Sequence, residues 1–184
     1  MKELALHILD IVQNSISAEA QLIQIKVDEN RNSDTLKIEI IDDGHGMDEE
    51  LLSRVTDPFT TTRTTRRVGL GLPLLKQAAE ECNGGLAITS RKNEGTRVSI
   101  WFQHSHIDRV PLGNMVDTIV TLLLNGSHFD LQYVHSVDQH QMTFDTREIR
   151  QVLGDVPLDH PDVIEWVKQS LQDEIMELYQ SHKG

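Results

Sequence analysis

The chain has one cysteine, Cys82, among its 184 residues. A lone thiol excludes an internal disulfide framework and a cysteine-rich metal site. Late in LLKQAAEECNGG, it reads as a packed thiol rather than a nucleophile. Long apolar runs are absent too. None approaches the roughly 20 residues that a membrane helix needs, and no membrane partner is expected. The opening stretch MKELALHILDIVQNS is interrupted too early by acidic and amide residues for a secretory signal, so a cytoplasmic location is expected. Positive charge is scarce. The net charge is −12, and it is uneven: residues 1–104 hold 12 Lys/Arg against 16 Asp/Glu, and residues 105–184 hold 5 against 13. That balance argues against nucleic acid as the main partner. There is no G-x-x-x-x-G-K-[ST] phosphate loop, and Gly69-Leu70-Gly71 lacks the third glycine of a dinucleotide fingerprint.

What is present is an ordinary soluble composition, 38% apolar and 25% charged. Residues 3–17 have helical periodicity, with Leu4, Ala5, Ile8, Leu9, Ile11, Val12 and Ile16 on one half and His7, Asp10, Asn14 and Ser17 on the other. LIQIKVDE and TLKIEII alternate as strands around the loop NRNSD. A short helix, DEELLSRV, precedes the polar, basic stretch DPFTTTRTTRRV, which has no apolar period and reads as a loop. GLGLPLLKQAAEECNGG predicts a helix stopped at Gly84-Gly85. GLAITSR and TRVSIWF predict two more strands. His104 to Pro111 reads as a boundary. Beyond it come a helix in PLGNMVDTIVTLLLNG, a strand pair in HFDLQYVHSV and QMTFDT, a short helix in TREIRQVLG with Thr146 as its N-cap, and a helix over 160–182 with Pro161 in its first turn. The helix Met115–Leu124 is read as core, with a dimer seam as the alternative.

Three local patterns carry chemistry. Asp42-Asp43-Gly44-His45-Gly46-Met47 is a D-x-G-x-G at the end of an apolar strand. A carboxylate there can accept from an exocyclic amine, and glycines let backbone approach a flat ring. Gly69-Leu70-Gly71 opens a helix, whose free N–H groups suit phosphate. Asp10 and Asn14 sit one turn apart on the first helix. An amide oxygen can ligate magnesium, and a carboxylate one turn away can polarise a water.

In this order, over residues 5–102, the patterns resemble the GHKL family: gyrase-type topoisomerases, a heat-shock chaperone, histidine kinases and mismatch-repair ATPases. DPFTTTR, VGLGLPLLKQAAEECNGGLAITS and GTRVSIWF look most like histidine kinases. The resemblance implies an α+β fold. Residues 1–104 would form a two-layer sandwich, a mixed sheet covered by helices on one face, and residues 105–184 a small acidic α+β unit. It implies ATP and Mg²⁺ as cofactors. Asn14 would hold Mg²⁺. Asp42 would take the adenine amine, helped by Thr96 through water. Gly44, Gly46 and Met47 would shape the adenine pocket. Residues 60–68, with Thr62, Arg63 and Val68, would form a lid, and Gly69, Leu70, Gly71 and Leu72 would meet the phosphates. Arg63, Arg66, Arg67 or Lys76 would supply positive charge.

Asp10 departs from the family pattern, since hydrolysing members place a glutamate four residues before the asparagine. As a shorter acid it is either a general base or a remnant. The two-helix phosphoacceptor unit of histidine kinases is not seen before residue 1, and His7 faces the wrong way to replace it. The His104-Ser105-His106 pair has no acceptor context either. The reading favoured by the residues is a regulatory kinase or ATPase that binds ATP or ADP and acts on a separate protein. The acidic C-terminal unit would be the partner or homodimer surface. The alternatives are a nucleotide-gated module without turnover, and a degenerate ATP domain carrying a functional C-terminal unit.

Overall fold

The computed structural model describes residues 3–55, 57, 71–125 and 128–181. Helix α1 (Leu4–Ser17) buries the predicted stripe: Leu4, Ala5, Ile8, Ile11 and Val12. Its first N–H groups have no side-chain cap. They are satisfied instead by the carbonyls of Pro111 and Leu112, at 2.9 and 2.7 Å. The segment after residue 104 is therefore bonded directly to the start of the chain.

Strands β1 (Leu22–Asn30) and β2 (Thr35–Asp42) form an antiparallel hairpin. The period-2 pattern does what it predicts: Ile23, Ile25 and Val27 of β1 and Leu36, Ile38 and Ile40 of β2 are buried on one face. Then follow α2 (Glu49–Val55), α3 (Gly71–Glu81), β3 (Gly85–Arg91) and β4 (Gly95–Gln103). The remaining elements are α4 (Met115–Leu124), β5 (Asp130–Val137), β6 (His140–Asp145), α5 (Thr146–Leu153) and α6 (Pro161–Gln180).

The six strands of the described residues belong to one sheet, in the order β3-β4-β2-β1-β5-β6. Every neighbouring pair is antiparallel except β1 with β5, which is parallel and in register from Leu22–Asp130 to Glu29–Val137. The mixed sheet is apolar on one face, where α1, α3 and α6 pack, and α4 packs on α1 and α6. The sequence divides at residues 104 and 105, yet the strands on either side of that division share the sheet and one apolar core. Helix α4 belongs to that core, since Met115, Val116, Ile119, Leu122 and Leu123 are all buried.

One helix cap differs from expectation. Asp145, not Thr146, caps α5: its carboxylate accepts from the Arg147 N–H at 2.9 Å. The Thr146 hydroxyl is committed elsewhere, accepting from the Leu131 N–H at 2.9 Å and donating to Asp130 at 3.0 Å. Helix α4 begins at Met115, as expected. Gly113 turns there with φ +86, and the Asn114 side chain caps the Asp117 N–H at 3.0 Å.

Candidate functional site

A cavity of about 300 Å³ lies between α1, the end of β2, the loop 43–48, α2, the start of α3 and the strands β3 and β4. Its size is at the lower end of the range for small-molecule sites. Most of the wall is apolar, built from Ile11, Ile40, Leu51, Val55, Leu72, Ile88 and Val98. Asn14, Ser15, Asp42 and Thr96 are among the polar groups set into it.

Asp42 is the last residue of β2. Its Oδ1 accepts from the Gly44 N–H at 2.9 Å and its Oδ2 from the Ser15 hydroxyl at 2.6 Å. One donor on each oxygen fixes the plane of the carboxylate and leaves further lone pairs for a ligand. Asp43 has a different task. Its Oδ1 accepts from the N–H groups of Gln21 and Leu22, at 2.8 and 2.9 Å, and so holds the start of β1. The two adjacent aspartates thus divide between site and scaffold.

The glycines after Asp42 are needed for a reason other than closeness to a flat ring. A Cβ on Gly44 would sit 2.7 Å from the Ala18 carbonyl oxygen. Gly46 has φ +65, and a Cβ there would lie 2.0 Å from the Arg91 carbonyl oxygen. Backbone meets backbone at both places, so the glycines lock the loop onto α1 and onto the β3–β4 turn. Met47, next in line, donates its N–H to the Ser90 hydroxyl at 2.8 Å and contributes its side chain to the cavity.

Thr96 stands opposite Asp42 in the β2–β4 register and opposite Ser90 in the β3–β4 register. Its hydroxyl lies 2.8 Å from that of Ser90. Asn14 lines the cavity from α1, and its amide makes no hydrogen bond with the described residues. Asn14, Asp42, Gly46, Met47, Leu72 and Thr96 are therefore brought together around one space, with Gly44 buried just behind.

Other expected site residues lie apart from it. Asp10 is exposed on α1 and is not part of the cavity wall. Lys76 faces Glu80 one turn on, at 4.0 Å, and does not line the cavity. Gly71 opens α3 with nothing within 4 Å of a Cβ placed on it. His7 is half-buried; desolvation pushes its pKa down while the Asp10 charge pulls it up. Thr62, Arg63, Arg66, Arg67, Val68, Gly69 and Leu70 lie outside the described residues.

The motifs missed Ser15 and Ser90, which hold Asp42 and Thr96 in place. Both left a signal. Ser15 falls four residues after Ile11, on the apolar stripe of α1, where it is 3% exposed. Ser90 follows Ile88 on the inward side of β3. A serine on an apolar face needs a buried partner.

Comparison with known proteins agrees with this geometry. A candidate NtrY-like sensor histidine kinase of Rickettsia bellii is 29% identical over 102 residues, 55% of this chain and 16% of that protein. The nitrogen regulation protein NtrY of Azorhizobium caulinodans is 38% identical over 65 residues, 35% of this chain and 8% of its own. The sensor histidine kinase YvrG of Bacillus subtilis is 33% identical over 85 residues, 44% of this chain and 14% of its own. The chain thus spans about a sixth or less of the length of these relatives. The family described as histidine kinase-, DNA gyrase B-, and HSP90-like ATPase matches residues 2–106. The chain belongs to that family and carries its ATP-binding, histidine-kinase-like domain.

Proposed function

We propose that the chain is a magnesium-dependent ATP-binding regulatory protein, a kinase or ATPase that works in the cytoplasm on a separate protein. The observation that carries this reading is the pairing of Asp42 with Asn14 around one cavity, the first with lone pairs to spare and the second with an amide that makes no hydrogen bond to the described residues. Asp42 and Thr96 would take the adenine end, against the apolar walls. Among the described residues no group of three His, Cys, Asp or Glu side chains could hold a metal ion. A cation at Asn14 would therefore draw its other ligands from phosphate oxygens and water, the arrangement magnesium favours. It would supply charge neutralisation at the phosphates. Residues 60–68, Gly69 and Gly71 remain the proposed lid and phosphate contacts, and residues 105–184 the proposed partner or homodimer surface. No described helix is long and apolar enough to cross a membrane.

A second reading, a nucleotide-gated module without turnover, draws on one observation: Asp10, the candidate base, is exposed and outside the cavity wall. Calorimetry with ATP, with and without Mg²⁺, followed by phosphate release in the same samples, separates the two. Binding with release supports the enzyme, and binding without release supports the module. Asn14→Ala should remove the effect of Mg²⁺ on ATP affinity and abolish release, while metal-free binding stays within about threefold. An unchanged Mg²⁺ effect in that variant would sink the magnesium assignment.

A further inference from the structure

Ser90 has three neighbours and one proton. The Met47 N–H donates to its oxygen at 2.8 Å, the Gly95 carbonyl oxygen is 3.0 Å away, and the Thr96 hydroxyl is 2.8 Å away. A carbonyl can only accept, whereas a threonine hydroxyl can donate or accept. The arrangement that satisfies every group sends the Ser90 proton to Gly95. The Thr96 proton then goes to Ser90, and Thr96 turns only lone pairs towards the cavity.

Asp42, directly across from Thr96 in the sheet register, is an acceptor as well. Its two oxygens already receive the Ser15 hydroxyl and the Gly44 N–H, so both stand as acceptors. Asp42 and Thr96 together then offer a ligand acceptors and no donor. An exocyclic amine carries two N–H donors and fits. A carbonyl at the same ring position meets lone pairs on both sides, and the site's own polar atoms lose their partners.

We propose that Ser90 is a positioning residue which, by fixing the direction of the Thr96 proton, makes the site select a 6-amino purine over a 6-oxo purine. The inference rests on the ATP-site reading above. The probes are ATP and inosine triphosphate. They differ at ring position 6 and at the N1 proton that goes with it, and share every phosphate contact.

The experiment measures the dissociation constants of both nucleotides for the wild type, Ser90→Ala, Ser90→Thr, Thr96→Val and the Ser90/Thr96 double variant, each checked for folding by circular dichroism. In the wild type ATP should be preferred by at least about 50-fold. Ser90→Ala should cut that ratio about tenfold, because Thr96 can then rotate and donate to the 6-oxo group. Ser90→Thr should restore it. Thr96→Val should lower the ratio by a similar factor, and the double variant no further. A purely structural role for Ser90 would weaken both nucleotides equally and leave the ratio alone. That result overturns the proposal, and so does a full ratio in Thr96→Val if Ser90→Ala fails to fold. A wild type that binds neither nucleotide overturns the ATP-site reading and this inference with it. A wild type that binds both equally overturns the selectivity alone.

Discussion

At one end of the β1–β2 hairpin, Asp42 is held by two donors and lines a cavity. Near the other end, Glu29 is 6% exposed and takes three side-chain donors from three distant segments. His135 of β5 reaches its Oε1 at 3.1 Å, the Tyr179 hydroxyl of α6 joins the same oxygen, and His104 reaches Oε2 at 3.2 Å. Behind them the Tyr133 hydroxyl meets His135 Nδ1 at 2.7 Å. Both carboxylates sit on the same hairpin, yet they do different work. The one with lone pairs to spare faces a cavity and suits a ligand. The saturated one ties β1, the segment after β4, β5 and α6 into a single body.

Removing the saturated carboxylate should have the largest effect. Glu29→Ala leaves the His135 N–H, 1% exposed, without its acceptor. We expect a loss of about 3–5 kcal/mol in denaturant unfolding, as for one half of a buried charged pair. The same residue sets an acid limit. Burial alone would raise the Glu29 pKa, but hydrogen bonds from His135, Tyr179 and His104, and the His135 charge, bring it down to about 2. A carboxyl with a lower pKa when folded stabilises the protein fully above its unfolded value, near 4.5. That contribution is lost as pH falls towards 2. The stability gap between wild type and Glu29→Gln should therefore shrink as pH falls below about 4.5. A gap that stays flat to pH 3 would contradict the assignment.

Gly46→Ala tests the scaffold beside the open carboxylate. Its positive φ and the 2.0 Å approach to the Arg91 carbonyl should cost about 2–3 kcal/mol of stability. Next comes the open carboxylate itself. Asp42→Asn should weaken ATP roughly 10- to 100-fold, the worth of a hydrogen bond to a charged group. It should leave pyrophosphate binding and the denaturation midpoint nearly unchanged. A large stability loss in Asp42→Asn would erase the contrast with Glu29.

The two ends were unequally legible in the sequence. Asp42, its glycines and Asn14 form local patterns, and the alternation of β2 put Asp42 at the end of an apolar strand. The strand β3 was bounded as Gly85–Arg91 by its own turn signals. The Glu29 network has no local trace. Its members are separated by 75, 106 and 150 positions along the chain. Alternation in β5 also says which side is buried without naming the neighbour, so its parallel pairing with β1 could not be read. Caps depend on one hydrogen bond, and Asp145 and Thr146 were equally eligible until tertiary contacts engaged the threonine.

Tyr179→Phe gives the smallest effect and the sharpest test of saturation. The variant keeps the ring packed beside His135, where the centroids are 5.7 Å apart with the rings edge-on, and deletes a single donor. A hydrogen bond to a carboxylate can be worth about 1.5–3 kcal/mol, but Glu29 retains His135 and His104. Tyr179 also lines a half-open cavity of about 400 Å³, from which water can replace the lost hydroxyl. We therefore expect a loss of about 1 kcal/mol. With one donor gone, the Glu29 pKa should rise, so the acid loss of stability should be smaller and should be complete at a higher pH than in the wild type. ATP affinity, set at the other end of the hairpin, should stay within about twofold. A larger fall in ATP affinity would mean that the two carboxylates communicate along β1 and β2, and that closing one end helps to shape the other.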